Sequence, residues 1–413
     1  MKQAIERGLN LAVTVLINEG VLQADALERI ALERTRDRTH GDFASNIALV
    51  VARQAQRNPR EVAQLIVAQF PDIPEVEKLE IAGPGFINFT LAKNAQAQIV
   101  NTIRSAGETY GFSEAGAGHK VLVEFVSANP TGPLHVGHGR GAAYGDALVR
   151  LLKATGYSVN SEYYVNDAGR QMHILALSVY VRYLDLDGQE VALPANGYQG
   201  DYIWDIAATV HREYGSQLLL DPVALFAGLP EDQEQAMDLL IQRCRDGLGE
   251  ERYGIVFDAG LDALVADIRG DLEQFGVTFD QWFSERELVS SSAINDAVEV
   301  LKANGRLYEI EGAWWFRSSD YGDEKDRVVL RAIGQHTYFA ADIAYHLQKV
   351  QRGYDQLFNI WGADHHGYVA RVKAAFEAMG QDPDALTVLL VQFAVLYRGG
   401  EKVSMSTRGG DFV

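Results

Sequence analysis

Two histidines three residues apart, His135 and His138, lie within VLVEFVSANPTGPLHVGHGRGAAYGDALVRLLK, Val121 to Lys153, with Gly132, Gly137, Gly139 and Gly141 around them. Imidazoles in a glycine-rich turn can donate N–H groups to a phosphate. Glycines let a flat ring lie against the backbone, and the free N–H groups of a following helix attract negative charge. The spacing alone would also suit zinc, but no acidic or cysteine cluster adjoins the pair to complete a tetrahedral site. A second constellation is Tyr338 and Asp342, four apart in YFAADIAYHLQKV and so on one helix face. A carboxylate takes a guanidinium by two parallel hydrogen bonds while an aromatic ring covers the flat cation. The alternative is a local pair between Asp342 and Arg331. Glu124, a carboxylate inside the apolar run VLVEFV, needs a cation, and a cationic ligand offers one. Gly362, Asp364 and His366 in FNIWGADHHGY follow an apolar strand, where Gly and Asp suit a ribose or an adenine edge. Near the end, YRGGEKVSMSTRGGDFV sets Lys402 and Arg408 between glycines, the pattern of a mobile cationic loop.

The elements that must position these groups alternate. VLVEFV is a strand, Asn129 to Pro133 a turn, and the stretch with Leu148, Leu151 and Leu152 a helix. Neither a G-x-G-x-x-G fingerprint nor a G-x-x-x-x-G-K-[ST] loop is present. YSVNSEYYV and the helical ALSVYVRYL repeat the order, placing Asn166, Asp167 and Gly169 at a strand end, with a helix cap as the other reading of Asp167. VTFDQWFSE and the apolar Trp314 to Ser318 extend the sheet, and FNIWG completes the pattern. The fold class is therefore α/β, a Rossmann-like doubly wound parallel sheet. A helical, acidic insertion spans about 185–275. Residues 1–112 form a small α+β N-terminal domain with amphipathic helices and two strands around Gly83-Pro84-Gly85; residues 113–413 form the larger domain.

Composition bounds the setting. A chain of 413 residues suits two or three domains, and the single Cys244 excludes an internal disulfide and points to the reducing cytoplasm. No signal pattern opens the chain, and no apolar run approaches the ~20 residues of a membrane span. A net charge of −19 suits a cationic small substrate and opposes an extended nucleic-acid face, although Arg34, Arg36 and Arg38, and Arg53, Arg57 and Arg60, gather locally.

ANPTGPLHVGH, Ala128 to His138, resembles the HIGH region of class I aminoacyl-tRNA synthetases in the form of the arginyl enzymes. GDFASN with NPREVA resembles their N-terminal domain, HTYFAADIAYH their substrate side-chain segment, and SMSTR their KMSKS loop, with Thr407 in place of the second lysine. The resemblance implies arginine–tRNA ligase chemistry on L-arginine, ATP with Mg2+, and tRNA(Arg), with no resident metal, no membrane, and a monomer. It implies catalytic roles for His135, His138, Lys402 and Arg408, and ATP contacts from Pro133, His135, Gly137, His138, Gly362, Asp364, His366, Met405 and Ser406. Arginine would rest on Glu124, Ser127, Asn129, Tyr338 and Asp342. In that family a helical anticodon-binding domain follows the loop, so the sequence reads as truncated before it. A non-catalytic synthetase-like interaction protein and another nucleotidyltransferase with the same histidine turn remain the alternatives.

Overall fold

Val121, Val123 and the following Phe125 belong to one hydrophobic core and Leu122 to another, the alternation of a strand buried on both faces. In the computed structural model this strand, β1 (Lys120–Glu124), is the centre of a five-stranded parallel sheet. Its companions are β2 (Ser158–Val165), β3 (Gln281–Ser284), β4 (Gln356–Gly362) and β5 (Leu386–Val391), in the order 3-2-1-4-5. The structure describes residues 1–403 other than Arg36, Asn94, Phe393 and Val395. By contact the chain divides into two units, Met1–Gly111 and Phe112–Val413.

Helices cover both faces of the sheet. Helix α1 (Val136–Ala154) and α2 (Arg170–Leu186) pack with Val121 and Val123. The insertion between β2 and β3 is led by α3 (Gln233–Gln274), which Gly249 breaks with φ 72° and ψ 167°. After β3 come α4 (Glu285–Ser290), α5 (Tyr338–Gln351) and α6 (His366–Ala378), the last two closing the opposite core with Leu122 and Leu357. The strand order reverses between β1 and β4, so the crevice for a ligand opens at their carboxyl ends.

One expectation fails here. Trp314 to Ser318 does not extend the parallel sheet. Ala313–Phe316 is the middle of a separate antiparallel sheet, between Leu307–Ile310 and Arg327–Leu330. Local turn chemistry decides it: Glu311 and Gly312 both adopt positive φ, 51° and 79°, and close a tight hairpin that no parallel crossover could use.

In the N-terminal unit, helix Lys2–Asn18 buries Ile5, Leu9, Val13 and Leu16, and Asn58 caps helix Pro59–Gln69 by accepting from the Arg60 N–H. Its sheet has four antiparallel strands. The Gly83-Pro84-Gly85 hairpin supplies two, and Phe43–Ser45 pairs with Phe86–Leu91. Among the described residues no helix is long and apolar enough to cross a membrane.

Gly145 lets α1 lie against the end of β1: a Cβ there would sit 2.2 Å from the Phe125 ring. Gly145→Ala should destabilise the unit by about 1–3 kcal/mol, lowering the melting temperature by several degrees in a thermal shift assay. An unchanged melting temperature would contradict this packing.

Candidate active site

The chain leaves β1 under strain. Val126 and Ser127 both take positive φ, 66° and 43°, a region a β-branched residue rarely enters. The bend turns the Ser127 hydroxyl back on the sheet, where Oγ donates to Glu124 Oε1 at 3.1 Å and accepts from the Tyr164 N–H at 3.1 Å. Asn129 Nδ2 reaches Gln171 Oε1 at 2.9 Å. Glu124, Ser127 and Asn129, with Asn166 from the end of β2 and Asp342 and Tyr345 from α5, line a cavity of about 390 Å³ at the carboxyl edge. Gly362, Trp361, His365 and Tyr368 close its other wall.

The charges in this cavity do not balance. Glu124 does have a protein cation, contrary to the expectation that a ligand must supply one: Lys349, wholly buried, places Nζ 2.5 Å from Oε2. Asp342 has none. Its carboxylate accepts from the Tyr368 hydroxyl rather than pairing with Arg331. Burial pushes its pKa up to about 6; Tyr368 opposes the rise and the Glu124 charge adds to it. Glu285, at the start of α4, is buried against Tyr164 with Oε2 lacking any hydrogen-bond partner, and burial together with Asp342 and Asp167 raises it to about 7. Asp167 itself caps α4, accepting from the Arg286 N–H and the Ser284 hydroxyl at 2.7 Å.

Sequence reasoning missed Glu285 and Tyr368. Ser284 caps α4 by accepting from the Glu287 N–H, so SERE reads as an ordinary helix start and hides a carboxylate that faces inward. Tyr338, assigned with Asp342, is 66% exposed at the first turn of α5 and does not line the cavity. Asp364 and His366 are also exposed; of that segment Gly362 and His365 reach the cavity wall.

The histidine pair caps α1 on the other face of the same edge. His135 Nδ1 accepts from the Gly137 N–H at 3.1 Å and His138 Nδ1 accepts from the His135 N–H at 3.2 Å, a reciprocal cap. A backbone N–H only donates, so each Nδ1 carries the lone pair and each proton sits on Nε2. The rings stack at 3.8 Å. Burial lowers both pKa values, that of His138 to about 4 with help from the His135 charge, so both rings are neutral N–H donors at pH 7. Pro133 and Gly137 belong to the same turn. The side chain of Lys402, and Met405, Ser406 and Arg408 entirely, lie outside the described residues. Among the described residues no group of three or more His, Cys, Asp or Glu side chains could hold a metal ion.

A larger cavity, about 670 Å³, opens at the α3 kink between His173, Tyr253 and Phe257. Its arginines already face carboxylates, Arg286 with Asp258 at 2.7 Å and Arg245 with Glu250 at 3.8 Å, so its charges are met internally.

Comparison with known proteins places the chain in a family. The family model of the arginyl tRNA synthetase N terminal domain matches residues 1–91, and that of the class I (R) tRNA synthetase catalytic domain matches residues 99–193 and 262–413. An arginine–tRNA ligase of Thioalkalivibrio sulfidiphilus is 54% identical over the whole chain, and one of Hydrogenovibrio crunogenus is 53% identical. The chain spans 72% of the length of both. Among solved structures, an arginyl-tRNA synthetase from Campylobacter jejuni is 37% identical with a TM-score of 0.65, covering 78% of this chain and 65% of its own. The Thermus thermophilus arginyl-tRNA synthetase shares the fold at 20% identity and a TM-score of 0.62, covering 95% of this chain and 66% of its own. The chain belongs to the arginine–tRNA ligase family of class I tRNA synthetases.

Proposed function

We propose that this chain activates L-arginine with Mg-ATP, forming arginyl-adenylate and pyrophosphate, and passes the arginyl group to the terminal ribose of tRNA(Arg). One observation carries the reading: Glu124 and Asp342 line one cavity, Glu285 lies behind its Tyr164 wall, and among the described residues the one buried ammonium beside them is Lys349. Buried carboxylates left without cations are costly, and a substrate with a guanidinium and an α-ammonium group answers them. Asp342 and Tyr368 take the guanidinium, and Glu285 adds its charge from behind Tyr164. Glu124, Ser127 and Asn129 take the amino-acid end.

In the first step an oxygen of the substrate carboxylate attacks the α-phosphorus, the bond to the bridging β-phosphate oxygen breaks, and pyrophosphate leaves. In the second a ribose hydroxyl attacks the carbonyl carbon, loses its proton, and AMP leaves. No side chain becomes a nucleophile; the protein places groups and offsets charge. His135 and His138 donate Nε2–H to the α-phosphate, Pro133 and Gly137 face the adenine, and Gly362, Asp364 and His366 take the ribose side. Lys402, Met405, Ser406 and Arg408 meet the departing phosphates. Mg2+ enters as the ATP complex, which needs no dedicated protein cage. Residues 1–112 contact the tRNA. The chain works as a monomer in the cytoplasm, a setting the lone buried Cys244 supports.

Three outcomes test the reading. Asp342→Asn keeps the shape and the Tyr368 contact but not the charge, and should weaken arginine binding by about 30-fold or more in calorimetry while ATP binding holds. Arginine affinity should be level above about pH 8 and fall on acidification as Glu285 near 7 and then Asp342 near 6 take up protons, by up to tenfold per pH unit for each. The cation favours the ionised forms, so binding at pH 6.5 should release protons; titrations in buffers of different ionisation enthalpy would show none if the carboxyls are not involved. His138→Gln should slow adenylate formation about 10²–10³-fold with arginine affinity unchanged, read by single-turnover pyrophosphate release.

A further inference from the structure

Three adjacent strands each place one polar residue in a single row across the sheet. Asn359 on β4, Glu124 on β1 and Glu162 on β2 are register partners, and all three are buried. Register partners in a parallel sheet share a face, here the one covered by α5. Along α5, Asp342, Tyr345, His346 and Lys349 repeat at i, i+3, i+4 and i+7, one stripe of the helix.

The stripe and the row interlock. Lys349 Nζ donates to Glu124 Oε2 at 2.5 Å and to Asn359 Oδ1 at 2.8 Å. Asn359 Nδ2 donates to His346 Nε2 at 2.8 Å, and His346 Nδ1 donates to the main-chain carbonyl of Asp342 at 2.8 Å. A carbonyl only accepts, so the His346 proton sits on Nδ1; burial, reinforced by the Lys349 charge, lowers its pKa to about 3 and keeps the ring neutral. The links run unbroken from Glu124 through Lys349, Asn359 and His346 to the Asp342 carbonyl. Lys349 is fully buried and does not line the cavity, so it acts through other residues. Tyr345 and Arg352 repeat the device one strand over, both donating to Glu162, at 2.6 Å and 2.5 Å.

We propose that Lys349, through Asn359 and His346, fixes the axial position of α5 against β1, and so sets the span between Glu124 and Asp342 by which the site measures the length of its substrate's side chain. The proposal rests on the arginine reading above, with Glu124 at the amino-acid end and Asp342 at the guanidinium end. A helix advances ~1.5 Å per residue, close to one methylene step, so even a one-residue slip would change the length that fits. Lys349 is a positioning residue in this scheme.

The test compares L-arginine with its homologues one methylene longer, homoarginine, and one shorter, 2-amino-4-guanidinobutyrate, by calorimetry, with ATP as control. The wild type should prefer arginine by about 10–200-fold over each, the usual worth of one methylene. Lys349→Met breaks the first link; His346→Gln retains every charge and the acceptor for Asn359 but drops the bond to the Asp342 carbonyl. In both variants the preference should narrow to about threefold or less, with ATP affinity within about twofold of wild type. Equal weakening of all three amino acids, or an intact preference in a folded variant, overturns the proposal. A crystal structure of His346→Gln supplies a readout independent of binding: α5 should shift along its axis relative to β1, and an unmoved helix also overturns it. If the wild type binds ATP but none of the three amino acids, the arginine reading fails, and the helix position alone decides whether the lock exists.

Discussion

A carboxylate inside a parallel sheet is tolerable only when a cation meets it, and the larger unit satisfies that condition wherever it is not waiting for a ligand. Glu124 has Lys349, Glu162 has Arg352, and Asp323 has Arg327 and Arg371, the hydrogen bond from Arg327 holding its pKa well below the usual carboxylate range. Among the described residues Asp342 and Glu285 lack such an ion pair and are pushed the other way, toward the neutral form. The contrast separates the two kinds of acid better than exposure does, since Glu285 is as buried as Glu124. A hole of the right sign remains where two helices packed against each other, α4 and α5, bring acids together around Tyr164.

The backbone supports this arrangement at a local cost. The left-handed turn at Val126 and Ser127 is compensated by what the bend secures: Ser127 ties the strand end to Glu124 and to β2 at once. The same connection then runs on into the cap of α1. A strained junction, a carboxylate site and a histidine-capped turn are thus consecutive on one short piece of chain, and the reversal of strand order leaves the crevice open there.

Much of this was legible in the residues because it is local. HVGH after a β-branched run, Asn58-Pro59 at a helix start and Gly83-Pro84-Gly85 in a hairpin each write their geometry into adjacent positions. The unread parts depend on partners distant in sequence. Lys349 lies 225 residues from Glu124, so the sequence showed an acid needing a cation without showing that the chain contained it. Glu285 was masked by a capping sequence that is also real, and the hairpin at Glu311-Gly312 lacks the Asn-Gly or Asp-Gly signature, so Trp314 to Ser318 was taken for a sheet strand. Tyr338 and Asp342 share the spacing of one helical turn, yet the first sits on an end open to solvent and the second under a sheet; periodicity gives a face but not its depth.

The reciprocal cap of α1 has one more consequence. Both imidazoles commit their only lone pair to backbone N–H groups, so neither has a base to turn toward whatever lies in front of the turn. A water molecule beside these two rings would find N–H donors but no imidazole lone pair to take its proton. The turn therefore favours an attacker that needs no deprotonation, which a carboxylate is and a water is not.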